Sequence, residues 1–247
     1  MNKAIKLVIF ITTMTIPLSA LSQDSLRYST ASFGLGVNRI TFKDQFQSPF
    51  TYEGTNAAFH ASYSRIKPKS KHEITFFYSG GTIASSISPD ADNRHISLSY
   101  NYSYLLRNWN GRFFANLGFG LSSFLNSTNY LPFVELSKTN LTGGAALFIN
   151  PSLSYKINET NKLKVSIGSS LVGLVYRPDF DINNKELLES SSFANNTWLK
   201  ANIQYEVQVA LKYQLLINYQ FSYFKFDQPR TAALMQNSVI FGIKKTF

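Results

Sequence analysis

With 247 residues, the chain can form one large all-β domain or two small domains. Charged residues are only 15% of it, against about 25% in an average soluble domain, while aromatics also reach 15%, with 21 Phe and 14 Tyr. A mean hydropathy of -0.10 excludes a bundle of continuous apolar helices, and the absence of cysteine excludes a disulfide scaffold and a cysteine-anchored lipoprotein.

The first element is MNKAIKLVIFITTMTIPLSALSQ. Lys3 and Lys6 precede an apolar run from Leu7 to about Ile16, followed by Pro17 and small residues. Ala20 and Ser22 occupy the places of a small-residue cleavage site, so residues 1–22 are expected to be a secretory signal peptide cut near Ser22. The run is shorter than the roughly 20 residues that span a bilayer as a helix. Its removal takes away two lysines, leaving 22 Lys and Arg against 14 Asp and Glu, a net charge of +8. Residues 23–28 are then a short lead and 29–247 the folded domain.

From there on, period two replaces every other pattern. Phe33, Leu35 and Val37 share one face of a first strand. Ala57, Phe59, Ala61 and Tyr63 mark a second, and Ile74, Phe76 and Tyr78 a third. The fourth reads HISLSYNYSYLL, with Ile96, Leu98, Tyr100, Tyr102 and Tyr104 opposite Ser97, Ser99, Asn101 and Ser103. Phe113 to Leu121 give a fifth, Ala145 to Tyr155 a sixth and Leu163 to Val175 a seventh. Leu199 to Tyr205 give an eighth, which can run on through Val207 and Val209. Leu215 to Tyr223 give a ninth, and Val239, Phe241, Ile243 and Phe247 close a tenth.

The opposite faces are small and polar with few charges: Ser32, Gly34, Gly36, Asn38; Ala58, His60, Ser62, Ser64; Asn116, Gly118, Gly120, Ser122; Asn202, Gln204, Glu206, Gln208. A water-facing surface would carry more Lys and Glu. These faces fit the packed interior of a narrow barrel, with the apolar faces meeting lipid. Within a bilayer a sheet must close, because an open edge leaves backbone groups unpaired. The fold class is therefore an all-β, ten-stranded antiparallel transmembrane β-barrel. Connections alternate between tight turns (IKPKSK, RNWNG, NETN) and long links over 40–53, 82–93, 126–138, 177–195 and 227–236. That alternation predicts periplasmic turns, extracellular loops and both termini in the periplasm. Acids concentrate in the long links, while Arg65, Lys67, Lys69 and Lys71 crowd the first tight turn. This basic turn suits anionic lipid headgroups or a periplasmic partner. It does not suit nucleic acid, for it lacks interleaved stacking aromatics.

The C-terminal SVIFGIKKTF resembles the last strand of bacterial outer-membrane barrels, which alternates apolar residues and ends in an aromatic. Val239, Phe241, Ile243 and Phe247 match, and the resemblance implies recognition by the barrel-assembly machinery. It covers 29–247 and implies a Gram-negative outer membrane. The Asn- and Tyr-rich strands and the cleavage site are similar in style to Bacteroidota barrels, including the OmpA/OmpX-like and PorT-like groups.

A ten-stranded barrel fills largely with side chains. The inner positions include Phe77, Phe114, Phe148 and Phe224, which argue against an open porin-like pore. The inner pairs Gly34/Gly36 and Gly118/Gly120 are expected where strands approach closely. His60 is placed inside, His72 at the turn-side rim and His95 at the outer end of the fourth strand; His60 could join Glu73 or Glu206. SPDADNRH sets Asp90 and Asp92 beside His95, and RPDFDINN sets Asp179 and Asp181 in the loop that faces it. This placement resembles omptin proteases, whose barrel mouth holds an Asp pair opposite an Asp-His pair, although the second doublet here carries no histidine. The resemblance implies water activation by acid and imidazole. Four carboxylates could instead hold Ca²⁺, and Asp after Pro is also ordinary turn chemistry. The expected function is non-enzymatic: a monomeric structural or surface-interaction barrel whose loops, 40–53 and 177–195 above all, meet an extracellular ligand. An omptin-like hydrolase or lipid-active enzyme is the alternative, and a narrow channel or secretion-assisting barrel a third.

Overall fold

The computed structural model describes residues 27–45, 48, 50–86, 90–130, 139–178, 196–227 and 230–247, and the backbone path of 186–192. Its strands are β1 (Tyr28–Asp44), β2 (Thr51–Ile66), β3 (Ser70–Ile83), β4 (Ala91–Trp109), β5 (Phe113–Tyr130), β6 (Thr139–Lys156), β7 (Asn161–Pro178), β8 (Glu186–Ser192), β9 (Asn196–Ala210), β10 (Tyr213–Phe226) and β11 (Ala232–Thr246). Each barrel strand pairs antiparallel with its neighbours, β7 pairs with both β6 and β9, and β1 pairs with β11 to close the wall. The short β8 lies against the upper part of β7, from Val172 to Pro178. Ten strands therefore make a closed barrel with β8 as an added flap.

Two kinds of end result. The termini and the turns at 67–69, 110–112, 157–160 and 211–212 lie at one end, here the turn end. The other connections lie at the loop end. Asn110 and Gly111 adopt φ of 53° and 66°, and the Arg112 N–H donates to the Trp109 carbonyl at 3.1 Å. Two consecutive positive φ values match the right-handed twist of the flanking strands, and Asn-Gly is the pair that tolerates them best. The strand through Val207 and Val209 does run on, to Ala210.

The outward apolar face is as expected. Phe33, Leu35, Val37, Ile74, Phe76, Ile96, Phe119, Leu147, Ile167, Leu215, Ile217, Phe241 and Ile243 are all exposed on the outside of the wall. Toward the turn end this band is rimmed by exposed Tyr28, Tyr63, Tyr102, Tyr104, Trp109, Phe113, Tyr213 and Phe247. Rings with one apolar body and one polar tip gather at a bilayer interface.

The strands are longer than a bilayer requires. They run to 17 residues in β1 and 19 in β4, against roughly 9–11 for a tilted membrane strand. The bounds expected for the long loops are corrected accordingly. Residues 40–44 and 51–53 belong to β1 and β2; 82–83 and 91–93 belong to β3 and β4; 126–130 belong to β5, 177–178 to β7 and 232–236 to β11. The reason is a change of environment along each strand. In β1 the buried residues alternate from Ser32 through Asn38 to Ile40, Phe42 and Asp44, while the outward positions pass from Phe33, Leu35 and Val37 to Arg39, Thr41 and Lys43. Parity never slips. What changes is the chemistry: below Asn38 this strand is apolar outside and polar inside, and above it polar outside and largely apolar inside, while the loop-end interior of β4, β5 and β6 keeps a buried polar set of Asn93, Asn126, Thr128, Asn140 and Thr142. The loop-end part is built like a water-soluble β-barrel, so its outward residues look like loop in a hydropathy reading.

Glycine permits the closest strand contacts. A Cβ on Gly36 would stand 1.9 Å from the Val239 carbonyl oxygen across the β1–β11 seam, and one on Gly120 2.3 Å from the Tyr100 carbonyl oxygen. The paired inner glycines thus sit where strands press together.

Candidate functional site

The interior has three tiers. At the turn end, inward positions carry Lys71, Lys156, Lys162, Lys164 and Lys244 against Glu73 and Glu206. Lys71 Nζ lies 2.6 Å from Glu73 Oε1, Ser64 Oγ donates to the same oxygen at 3.0 Å, and Lys164 Nζ stands 3.9 Å from Oε2. Lys244 Nζ is 2.8 Å from Glu206 Oε2, while Gln204 Nε2 donates to Oε1 at 2.9 Å. Solvent reaches this tier: the side chains of Lys71 and Glu73 are 28% and 21% exposed.

The middle tier is lined mainly by small polar residues around a cavity of about 210 Å³. Ser32 and Ser62 share a hydrogen bond of 2.7 Å, and Ser122 Oγ donates to Ser99 Oγ at 2.9 Å. Asn150 Nδ2 donates to Asn101 Oδ1 at 3.1 Å. Lys200 enters from β9 and donates to Ser99 Oγ at 3.3 Å.

The third tier closes the loop end. Phe124 meets Trp198 and Phe224 edge-on with centroids 5.0 and 4.9 Å apart, and Phe148 meets Trp198 at 4.9 Å. Beyond these rings, Ile40, Phe42, Tyr52, Ile83, Tyr130, Val175, Phe226 and Leu234 complete one buried cluster. Several polar groups inside it are paired. Asp44 and Arg177, both only 2% exposed, form an ion pair between β1 and β7. Asn140 Nδ2 and Thr142 Oγ1 from β6 each donate to Asp44 Oδ2 at 3.2 Å, and Arg177 also donates to the Arg230 carbonyl. Asn93 Nδ2 donates to Asn126 Oδ1 at 3.1 Å and to Thr128 Oγ1 at 3.0 Å.

The residues singled out in the sequence fall as follows. Asp90 and Asp92 are exposed at the loop end. His95 is buried at 3% exposure and faces inward, stacked on Phe124 at 5.7 Å. Asp92 and His95 therefore lie on opposite faces of β4 and are not brought together. Asp179 and Asp181 lie outside the described residues. Among the described residues, no three His, Cys, Asp or Glu side chains form a group that could hold a metal. Phe77, Phe148 and Phe224 are buried inside, whereas Phe114 is half-buried at the turn end with Lys156 Nζ 5.3 Å from its ring. His60 faces the lumen, and His72 Nδ1 sits 2.9 Å from the Tyr100 hydroxyl on the outside. Of the basic turn, Arg65 and Lys69 are exposed, while Lys71 is drawn inward to Glu73. Val239, Phe241, Ile243 and Phe247 occupy outward positions in β11 and at its end.

Sequence reasoning missed the Asp44–Arg177 pair, because both residues fell in segments read as loops. It also passed over Lys200, although Leu199 and Ala201 on the outward face already forced that lysine inward.

No protein-family model matches the chain, and no curated protein matches it. Solved structures do. The outer membrane protease OmpT from Escherichia coli aligns with a TM-score of 0.57 at 10% identity, covering 93% of this chain and 99% of that one. The translocator domain of the autotransporter NalP from Neisseria meningitidis gives 0.50 at 9% identity, covering 99% and 97%. The chain has the fold of an outer-membrane β-barrel. At such identities the likeness concerns the fold alone.

Proposed function

We propose that this is a non-enzymatic outer-membrane barrel whose sealed loop end projects outside the cell and serves as a rigid surface for contact with a ligand or partner. The observation that carries this reading is the inversion of chemistry along the strands. A barrel needing only to span lipid has no use for a second, soluble-type core beyond it. Here Ile40, Phe42, Tyr52, Phe226 and their neighbours build such a core, and Arg39, Glu53, Asp92 and Arg94 face water around it. The result is a firm stub above the membrane, onto which the loops are mounted. The termini and the basic turn then face the periplasm, where Arg65, Lys67 and Lys69 can meet anionic headgroups.

The chain has no cysteine, so single cysteines give labelling without background. Arg94→Cys lies outward on the loop-end stub and Lys69→Cys in a turn. A membrane-impermeant maleimide should label Arg94→Cys on intact cells and Lys69→Cys only after the envelope is opened. Labelling of Lys69→Cys but not of Arg94→Cys on intact cells would reverse the orientation and remove the surface role.

A further inference from the structure

Lys200 lies further from the turn end than the other inward lysines, Lys156 and Lys162 included. Lys71, Lys164 and Lys244 each have a carboxylate within 4 Å. Lys200 has none among the described residues; its hydrogen bond is to Ser99, and its ammonium sits 4.8 Å from the Trp198 ring and 5.0 Å from the Phe148 ring. It is half-buried and lines the middle cavity. A buried ammonium is costly unless something offsets its charge. Hydroxyls and ring faces compensate in part.

A second observation lies in the same cavity wall. His95, 3% exposed, has its Nδ1 without a hydrogen-bond partner, and Gln236, 5% exposed, has its Nε2 without one. Around them are the hydroxyls of Ser97, Ser99 and Ser122. An ammonium and an amide N–H donate hydrogen bonds, the imidazole can donate as well, and a hydroxyl can do so where its hydrogen is not already given, as that of Ser122 is to Ser99. Against this set, closed on the loop side by Phe124, Trp198 and Phe148, the same wall offers one unpartnered buried acceptor, Asn218 Oδ1, and no carboxylate within 4 Å of Lys200 among the described residues.

We infer that the middle cavity is a binding site for one small anion, of halide to short-carboxylate size, seated on Lys200 and reached from the lysine-rich turn end. A space of about 210 Å³ has room for such an ion with several waters, each taking about 30 Å³. The turn-end lysines outnumber the glutamates there, so the approach favours anions.

Trp198 reports on the site directly. The chain has two tryptophans, and the other, Trp109, lies exposed at the turn-end rim. In a Trp109→Phe barrel refolded in detergent micelles, Trp198 fluorescence is read while iodide replaces gluconate, an anion larger than the site's proposed class, at constant ionic strength. The expected result is a quenching curve that saturates, with added acetate moving its midpoint to higher iodide. Lys200→Met should lose the saturating component, and Lys200→Arg should keep it. A strictly linear curve in the Trp109→Phe barrel overturns the site without need of any variant at position 200. Saturation that survives unchanged in a folded Lys200→Met barrel overturns the role of Lys200.

Discussion

At the scale of single residues, the two ion pairs of β1 differ in what they contribute. Arg39 and Glu53 lie 3.3 Å apart on the outer wall with side chains 69% and 51% exposed. Water and salt screen such a pair to about 0–1 kcal/mol, so Glu53→Gln should leave the urea midpoint of the refolded barrel nearly unmoved. Asp44 and Arg177 meet inside the soluble-type core at 2% exposure. Asp44→Asn keeps the shape but strands a buried guanidinium, a loss of about 3–5 kcal/mol. Replacing both partners by apolar residues, Asp44→Leu with Arg177→Met, should recover much of that loss. Equal midpoints for Asp44→Asn and the double variant would show that the pair is not the unit that matters.

At the scale of the element, β1 holds most of the barrel's logic. Its inner side sews the wall together: Asn38 Nδ2 donates to Ser79 Oγ at 2.9 Å, and Ser238 Oγ donates to Asn38 Oδ1 at 2.9 Å, linking β3, β1 and β11. Leu35 faces outward in the apolar band at 59% exposure. Leu35→Arg should cost about 2–4 kcal/mol if Leu35 lies near the bilayer midplane. Arg39, four residues on, is already tolerated beyond the band. Reduced folding yield into lipid vesicles for Leu35→Arg, set against normal yield for Lys43→Arg, would check this boundary. The alternation of Phe33, Leu35 and Val37 was legible in the sequence, because lipid outside and serine or glycine inside leave a plain period of two. Ile40 and Phe42 were not, since their apolar face has the opposite parity and the two patterns join without a break. A hydropathy reading sees Arg39, Lys43 and Asp44 and ends the strand. Pairing resolves it: Ile40 still faces Gln236 and Gly54 across the ladder. The candidate site was legible only in part for the same reason. The serine faces were plain, but a lone Lys200 among them gains meaning only once Ser99 and His95 of β4 converge on it beside Trp198 of its own strand.

At the scale of the whole molecule, the interior is graded from wet to dry. A conducting barrel needs a continuous polar path, and here the path ends at Phe124, Trp198, Phe148 and Phe224, with a second apolar layer of Ile40, Phe42, Tyr52 and Phe226 behind them. Buried Phe148, Phe224 and Phe226 are each 1% exposed, so little space is left for water between them. Ring edges packed against ring faces cannot part singly, because Phe124, Trp198 and Phe224 each meet at least two other rings and close-packed interiors rearrange together. Purified barrel in a planar bilayer should therefore give no discrete conductance steps under applied voltage, even though anions can enter the turn-end half. Phe124→Ala with Phe224→Ala removes two rings of the first layer only, so it should lower the unfolding midpoint while the second layer keeps the bilayer silent. Steady ohmic steps from the unmodified barrel would mean that the loop-end core opens, and the role proposed for it as a rigid surface would give way to that of a gated channel.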